Sequence, residues 1–126
     1  MASLLAYGIF GSSPGSDRPA VKADLAISAG ALARAFDQNE ALSDSLFRLK
    51  TLLVSGVIQK IRIDQTGSYV ATLGGGQPGS TGVDCRLDSQ FNRKYSRLKT
   101  GDSLRLAGIC AGQLETVIMV ECIIQP

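Results

Sequence analysis

The chain has 126 residues, of which 44% are hydrophobic and 19% charged, and its formal net charge is +2. These values are typical of one soluble globular domain, and a chain of this length buries enough surface to fold without a disulfide or a metal. The lack of histidine excludes the commonest general base, the Ser/His and Cys/His nucleophile pairs and most zinc sites, so we expect a non-enzymatic protein with no metal and no cofactor.

The first ten residues, 1–10, are mostly apolar but too few to span a bilayer, which takes about 20 residues. They fit three interpretations: the end of a membrane anchor or signal segment, a cloning remnant, or a short strand or helix packing on the domain. Residues 11–19 are rich in Gly, Ser and Pro, as a flexible tether is. A tether favours the anchor. We therefore expect residues 1–27 to be an apolar start with a tether, and the protein to be exported or membrane-tethered rather than cytoplasmic.

Residues 28–126 are expected to form a single domain that begins with a helix. Ser28 is a suitable N-cap, and residues 29–49 carry apolar side chains spaced by three and four. The stripe predicted to face the domain body is Leu32, Ala35 or Phe36, Asn39, Leu42, Leu46 and Leu49. The pattern fits one amphipathic helix, or two helices joined near Leu42 with Ser43 and Asp44 as a second N-cap.

A hairpin of two strands follows, at 52–63 and 68–73. The inward positions of the first strand change phase, from Leu52 and Val54 to Val57, Ile61 and Ile63. A phase change needs a bulge, and glycine tolerates a bulge within a strand. We therefore expect the first strand to bend at Gly56, which is how small barrels close.

The glycine-rich stretch 74–82 comes next and lacks the Gly-Lys-Ser/Thr ending of a phosphate-binding loop. We interpret it as a hairpin loop at the rim of the barrel. Val83, Cys85 and Leu87 then alternate with polar residues, which predicts a third strand.

Residues 88–98 change to a helical period, and the segments 103–109 and 116–124 predict the fourth and fifth strands, with Leu104 and Leu106 inward. The element order is therefore three strands, a helix and two strands. It predicts a mainly β protein with α: a five-stranded OB-fold barrel with a leading N-terminal helix and a helix between strands 3 and 4.

The three cysteines share the phase of core residues in their strands, so we interpret Cys85, Cys110 and Cys122 as small core residues. A disulfide between two of them stays open in an oxidising compartment and would leave one free thiol. A direct pair of Cys110 and Cys122 would centre the last hairpin on Thr116, whereas the turn residues centre it near Gln113. No particular bridge is therefore predicted.

The barrel segment is more basic than its flanks. Between Arg48 and Arg105 there are ten basic and four acidic residues, a surplus of +6, and each flank is acidic by two. This surplus is compatible with a polyanionic partner, although such charges are commonly a solvated face. In OB barrels the binding face is the outer surface of the central strands, which here carries Lys60, Arg62, Thr72, Asp84 and Arg86. We predict nucleic-acid contacts by three basic residues on strands and three on the second helix: Lys60, Arg62, Arg86, Arg93, Lys94 and Arg97.

Aromatic side chains, on which the bases of single strands stack for about 1–3 kcal/mol each, are few. They are Tyr7, Phe10, Phe36, Phe47, Tyr69, Phe91 and Tyr95, and most fall on apolar faces. Tyr69 has the phase of Ala71 and Leu73, which places it in the core with its hydroxyl at the rim. Basic residues without stacking predict weak, salt-sensitive binding.

Seven short motifs, taken together in their order and spacing, resemble a known family. They are Asn39-Glu40, Val54-Ser55-Gly56-Val57, Tyr69-Val70, Val83-Asp84-Cys85, Leu98-Lys99-Thr100-Gly101-Asp102, Gly108-Ile109-Cys110-Ala111-Gly112 and Glu121-Cys122-Ile123-Ile124. The family is that of the bacterial tRNA-anti-like OB-fold proteins, and the resemblance covers residues 28–124. It implies a barrel with a leading helix, often behind a membrane anchor or lipoprotein signal, and it brings no catalytic residues and no agreed ligand.

From the residues and the resemblance we expect a non-enzymatic OB-fold binding module. Its expected partner is single-stranded nucleic acid, tRNA or another polyanion. The alternative is a structural or protein-interaction barrel, exported and membrane-tethered, whose partner protein meets a sheet edge or the rim loops. The oligomeric state is left open.

Overall fold

The computed structural model describes residues 22–74, 82–88 and 98–125. The expectations for the apolar start and most of the tether, the glycine-rich loop 75–81 and residues 89–97 of the second predicted helix fall outside the described residues. In chain order the described elements are β1 (Leu25–Ser28), α1 (Ala29–Gln38), α2 (Glu40–Phe47), β2 (Thr51–Ile63), β3 (Tyr69–Gly74), β4 (Val83–Leu87), β5 (Ser103–Gln113) and β6 (Val117–Ile124).

Five of these strands form a closed barrel. β2 pairs antiparallel with β3 and β3 with β4; β4 lies parallel to β6, β6 pairs antiparallel with β5, and β5 pairs with β2 to close the circle. The five predicted strands are therefore confirmed. The fourth is longer than predicted, since it continues past Ile109 to Gln113. Gly108 fits there because a Cβ at this position would lie 2.6 Å from the sulfur of Cys122.

The strand β1 is not predicted from the sequence, because four mostly exposed residues give too short an alternation to recognise. It lies parallel to the first half of β2, with Leu25 opposite Leu52. The amide of Asp24 donates to the carbonyl of Thr51 at 2.8 Å, and the amide of Thr51 donates to Asp24 Oδ2 at 2.9 Å. The sheet thus begins within residues 1–27, the range assigned above to the apolar start and tether.

The long strand β2 changes its inward phase, but the predicted position of the change is wrong. Leu52, Val54 and Ile58 are all buried, so the even-numbered phase passes through Gly56. The register with β3 shifts between Ile58 and Lys60, which places the bulge at Gln59.

Beyond this bulge the odd-numbered residues turn toward the core, and Ile61 packs against it. Val57 is only half-buried, and Ile63, predicted to point inward, is 60% exposed. The last apolar side chain of β2 therefore points to solvent.

The helical segment is divided in two at Asn39. Ser28 caps α1 as predicted, accepting a hydrogen bond from the amide of Ala31 at 3.2 Å. Asn39 adopts an extended conformation and caps α2, accepting from the amide of Leu42 at 3.1 Å. The division is therefore three residues before Leu42, the predicted junction.

The shifted junction changes which face of the second helix is buried. Leu32 and Phe36 on α1 are buried as predicted, whereas α2 buries Ser43 and Phe47. Leu42, Leu46 and Leu49, predicted to face the domain body, are instead exposed. The break at Asn39 rotates the second helix, so a stripe continued from α1 points outward.

The barrel interior is filled by side chains from α1 and all five barrel strands. Cys85, Cys110 and Cys122 are fully buried and form no disulfide, which confirms their interpretation as small core residues. Leu106 is fully buried and Leu104 packs against the core, as predicted. The rings of Phe36 and Phe47 lie 6.1 Å apart between centroids and join the two helices to this core.

Candidate nucleic-acid interface

The outer face of β2, β3 and β4 brings three of the predicted basic residues together. Lys60 lies opposite Thr72 in the β2–β3 register, and Thr72 lies opposite Asp84 in the β3–β4 register. In the neighbouring row, Val70 lies between Arg62 and Arg86. We call this surface, formed by Lys60, Arg62, Val70, Thr72, Asp84 and Arg86, the outer face.

Asp84 is the centre of a polar network on this face. Its carboxylate accepts hydrogen bonds from Thr72 Oγ1 at 2.7 Å, from Thr116 Oγ1 at 3.2 Å and from Arg62 Nη2 at 3.3 Å. The donors come from three different parts of the barrel: β3, the turn before β6, and β2. The network therefore fixes the position of Arg62 and offsets its charge.

Arg86 is paired in the same way with Asp64, the first residue of the β2–β3 turn. Arg86 Nε lies 3.2 Å from Asp64 Oδ2, at an angle that does not make a hydrogen bond. The other carboxylate oxygen accepts from Thr66 Oγ1 at 2.5 Å and from the amides of Thr66 and Ser68. These bonds, led by that of the Thr66 hydroxyl, lower the pKa of Asp64 below its usual 3.8, so the carboxylate stays ionised.

Lys60 differs from the two arginines because it forms no ion pair with any residue in the described part of the chain. Its side chain is exposed. The arginine side chains are 44% exposed at Arg62 and 52% at Arg86, so each guanidinium keeps N–H donors that its carboxylate does not use. Chemically, the outer face can offer one unpaired ammonium and two partly neutralised guanidinium groups to an anion.

The outer face contains three of the six residues predicted to contact nucleic acid. Arg93, Lys94 and Arg97 lie outside the described residues, so they stay predictions. Sequence reasoning missed Asp64 and Thr116 as parts of the site. The signal for Asp64 was its place at the head of an Asp-Gln-Thr-Gly turn, where a carboxylate commonly accepts backbone hydrogen bonds.

The two glycines that bound the glycine-rich loop lie in tight packing next to the bulge residue Gln59. A Cβ on Gly74 would overlap the side-chain amide of Gln59, and one on Gly82 would lie 2.7 Å from Thr72 Cγ2 and 2.8 Å from the carbonyl oxygen of Leu73. The Leu73 carbonyl belongs to the backbone and cannot easily move aside, so Gly82 is the more strongly required of the two glycines. This packing role accounts for them without a phosphate ligand.

Aromatic side chains are not available on the described part of the outer face. Phe36 and Phe47 are buried, and Tyr69 packs against the core, as its phase with Ala71 and Leu73 predicts. The remaining four aromatic residues lie outside the described ranges. The base-stacking platform that most single-strand binders use is therefore not found among residues 22–74, 82–88 and 98–125.

Neither a metal site nor a membrane-spanning helix is found in the described ranges. There, no three His, Cys, Asp or Glu side chains gather closely enough to bind a metal ion. The helices of the same ranges are too short to cross a bilayer.

The surroundings of Cys85 and Cys110 raise the pKa of both thiols. A hydrogen bond between the Cys85 and Cys122 thiols, followed by burial and the nearby charge of Asp84, raises the pKa of Cys85 well above 9.0. Burial likewise raises the pKa of Cys110. These two thiols stay protonated at neutral pH and are poor nucleophiles.

Comparison with known proteins agrees with the barrel. The model of the family described as tRNA_anti-like matches residues 12–124. Among solved structures, the chain is similar to a protein from Klebsiella pneumoniae subsp. pneumoniae MGH 78578 described as a "putative nucleic acid-binding lipoprotein". The TM-score is 0.63 and the identity 17%, and the match covers 79% of this chain and 92% of that one. At this identity the likeness shows the fold alone. No curated protein matches the sequence significantly.

Proposed function

Because the chain belongs to the tRNA_anti-like family, we propose that it is a non-enzymatic OB-fold module that binds single-stranded nucleic acid, tRNA or another polyanion weakly through its outer face. The observation that carries the proposal is the convergence of Lys60, Arg62 and Arg86 on one surface. The description of the Klebsiella protein supports a nucleic acid as the partner. The predicted helix that adds Arg93, Lys94 and Arg97 stays part of the proposal within residues 89–97, whereas Asp88 and Leu98 at its predicted ends are not helical.

The ion pairs on the outer face set the expected strength. A phosphate must compete with Asp84 for Arg62 and with Asp64 for Arg86, whereas Lys60 is free to bind one directly. Binding of single strands weakens with salt by a slope of about 0.7 for each phosphate contact. Raising salt from about 50 to about 200 mM should therefore weaken binding about 3-fold with one contact and about 18-fold with three.

Fluorescence anisotropy with labelled single-stranded oligonucleotides across a salt series tests this proposal. Lys60→Gln should weaken binding at low salt and reduce the salt slope by about 0.7, because it removes one phosphate contact. Arg34→Gln is the matched control: it removes the same charge from an exposed position on α1. No binding at about 50 mM salt, or equal losses in the two variants, would contradict the proposal.

The ion pair between Arg62 and Asp84 provides a second test, in which binding should become stronger rather than weaker. Asp84→Asn keeps the shape of the side chain but removes the charge that offsets Arg62. It should therefore strengthen binding and steepen its salt dependence. Glu40→Gln, which changes the net charge equally at an exposed position of α2, controls for long-range electrostatics. An Asp84→Asn variant no tighter than Glu40→Gln would show that Arg62 takes no part.

The alternative, a structural or protein-interaction barrel that is exported and tethered, is favoured by one observation of its own. β1 ends the sheet order and pairs only with β2 among the described strands, so its outer backbone edge is open there. An extended segment of a partner protein can add to such an edge through backbone hydrogen bonds. Amide hydrogen exchange tests this alternative. Exchange at Leu25–Ser28 that is faster in the isolated protein than in complexes of the protein purified from cell extract would support it.

A further inference from the structure

The exposed side of α2 and the turn that follows it carry an apolar surface with no partner among the described residues. Leu42, Leu46 and Leu49 are spaced by four and three and are 54%, 53% and 76% exposed. We call these three side chains the leucine face. Ser43 and Phe47 take the buried side of the helix, and Asp44 lies beside Gly112 of β5. The leucines therefore cannot turn inward without unpacking α2.

Leu49 is held on this surface by its backbone. Its φ of 65° is in the left-handed region, which glycine and asparagine adopt at lower cost than leucine. Its amide donates to the carbonyl of Cys110 at 2.8 Å, which fixes the residue against β5 while the side chain projects outward.

The chain itself supplies a segment of matching character. Residues 1–10 contain no charged side chain and include Leu4, Leu5, Ile9 and Phe10. They also precede the family match, which begins at residue 12. A charged face would repel such a segment, whereas the leucine face offers it apolar contacts.

The place where the described chain begins makes this contact easy to reach. Lys22 is two residues before Asp24, whose amide is bonded to Thr51, and Thr51 is two residues after Leu49. The eleven intervening residues 11–21 extend to at most about 36 Å. Leu42 and Leu46 are four residues apart on α2, or about 6 Å along the helix, and Leu49 follows two residues after the helix ends.

We propose that residues 1–10 dock in cis on the leucine face formed by Leu42, Leu46 and Leu49. The apolar start thereby covers these side chains and holds the chain's beginning against α2. The short tether gives the segment an effective concentration in the millimolar range at this surface, so even weak apolar contacts suffice. This proposal stands apart from nucleic-acid binding, since it uses a different surface.

A single tryptophan reports on the docking, because the chain has none of its own. The Phe10→Trp protein, used as the full chain, should show blue-shifted emission and reduced quenching by acrylamide relative to the same chain in urea. In the Leu42→Ser/Leu46→Ser background, emission and quenching should move toward the values in urea. Ile63→Ser is the matched control, since Ile63 is 60% exposed at the far end of β2 and should leave both readings unchanged.

Four other results would contradict the proposal. A solvent-exposed indole in the Phe10→Trp and Leu4→Trp proteins alike would show that the segment is not docked. A protected indole that ignores the leucine substitutions would assign it to another surface. Protection that appears only as protein concentration rises would identify a second copy as the occupant, and protection that appears only with phospholipid vesicles would identify a membrane. Urea unfolding of each variant checks that the barrel itself is intact.

Discussion

Gly56 lies where the start of α1 packs closely against β2 and β3, and we expect Gly56→Ala to destabilise the protein. The new Cβ would be 3.0 Å from Ala29 Cβ, 3.0 Å from the carbonyl oxygen of Gly74 and 3.2 Å from Leu73 Cβ. Favourable carbon contacts lie at about 3.5–4.0 Å, so all three neighbours must give way. Overpacking of this kind costs about 1–3 kcal/mol, and the lower backbone entropy of the unfolded alanine chain returns about 0.4–1 kcal/mol. The net loss should be about 1–2 kcal/mol.

Urea unfolding followed by circular dichroism measures this loss, and a double-mutant cycle identifies its cause. Ala29→Gly removes the nearest side-chain carbon. The Ala29→Gly/Gly56→Ala protein should therefore be more stable than the two single changes predict by at least about 0.5 kcal/mol. Recovery should be incomplete, because the contact with the Gly74 carbonyl remains.

Gly67→Ala is the control for a cost that comes from backbone conformation alone. Gly67 has a φ of +86° and no atom within 4 Å of the added Cβ, so alanine there should cost about 1–2 kcal/mol whatever stands at position 29. A Gly56→Ala protein within about 0.5 kcal/mol of the wild type, or strict additivity with Ala29→Gly, would refute the close-approach role of Gly56.

Four further outcomes are expected. Asp64→Asn should destabilise the protein near neutral pH. The difference in stability between variant and wild type should vanish as pH falls through the lowered pKa of Asp64, because the side chain at position 64 is then uncharged in both proteins. Urea unfolding midpoints across an acid pH series measure this difference. Asn39→Ala should cost about 1 kcal/mol by removing the cap of α2, whereas a neutral result would mean that the helix break does not depend on it. A thiol reagent at neutral pH should label none of Cys85, Cys110 and Cys122 in the folded protein and all three in urea; a count below three would reveal a disulfide. The raised pKa of Cys85 and Cys110 should also make stability fall at alkaline pH, since ionisation above about 9 then favours the unfolded chain.

The barrel strands were predictable because their side chains alternate between core and solvent, as Val83, Cys85 and Leu87 do. The parts that sequence reasoning missed are decided by contacts between elements. β1 is a strand only because β2 provides a partner for it. The rotation of α2 follows from one residue, Asn39, whose side chain caps the second helix. That signal was present in the sequence, since asparagine is a favoured N-cap and an acidic residue follows it.

The composition of the outer face could be predicted, but its charge balance could not. Placing Arg62 and Arg86 on one surface needs only the strand phases, which alternation supplies. The pairing of Arg62 with Asp84 and of Arg86 with Asp64 depends on the cross-strand register and on the geometry of the β2–β3 turn. Counting charges along the chain gave a surplus of +6 in the barrel segment, whereas the described outer face leaves only Lys60 without an ion pair.

The bulge in β2 explains why the basic residues were placed correctly although the bend was not. Even-numbered residues of β2 point inward up to Ile58, and a continuous strand would turn Lys60 and Arg62 into the core as well. The extra residue at Gln59 reverses the alternation before Lys60 is reached. A phase change at any point between Val54 and Lys60 gives the same outward charges, so an error of three residues had no effect on the site. The bulge thus serves two purposes, since it bends the strand that closes the barrel and turns the charged half of that strand toward solvent.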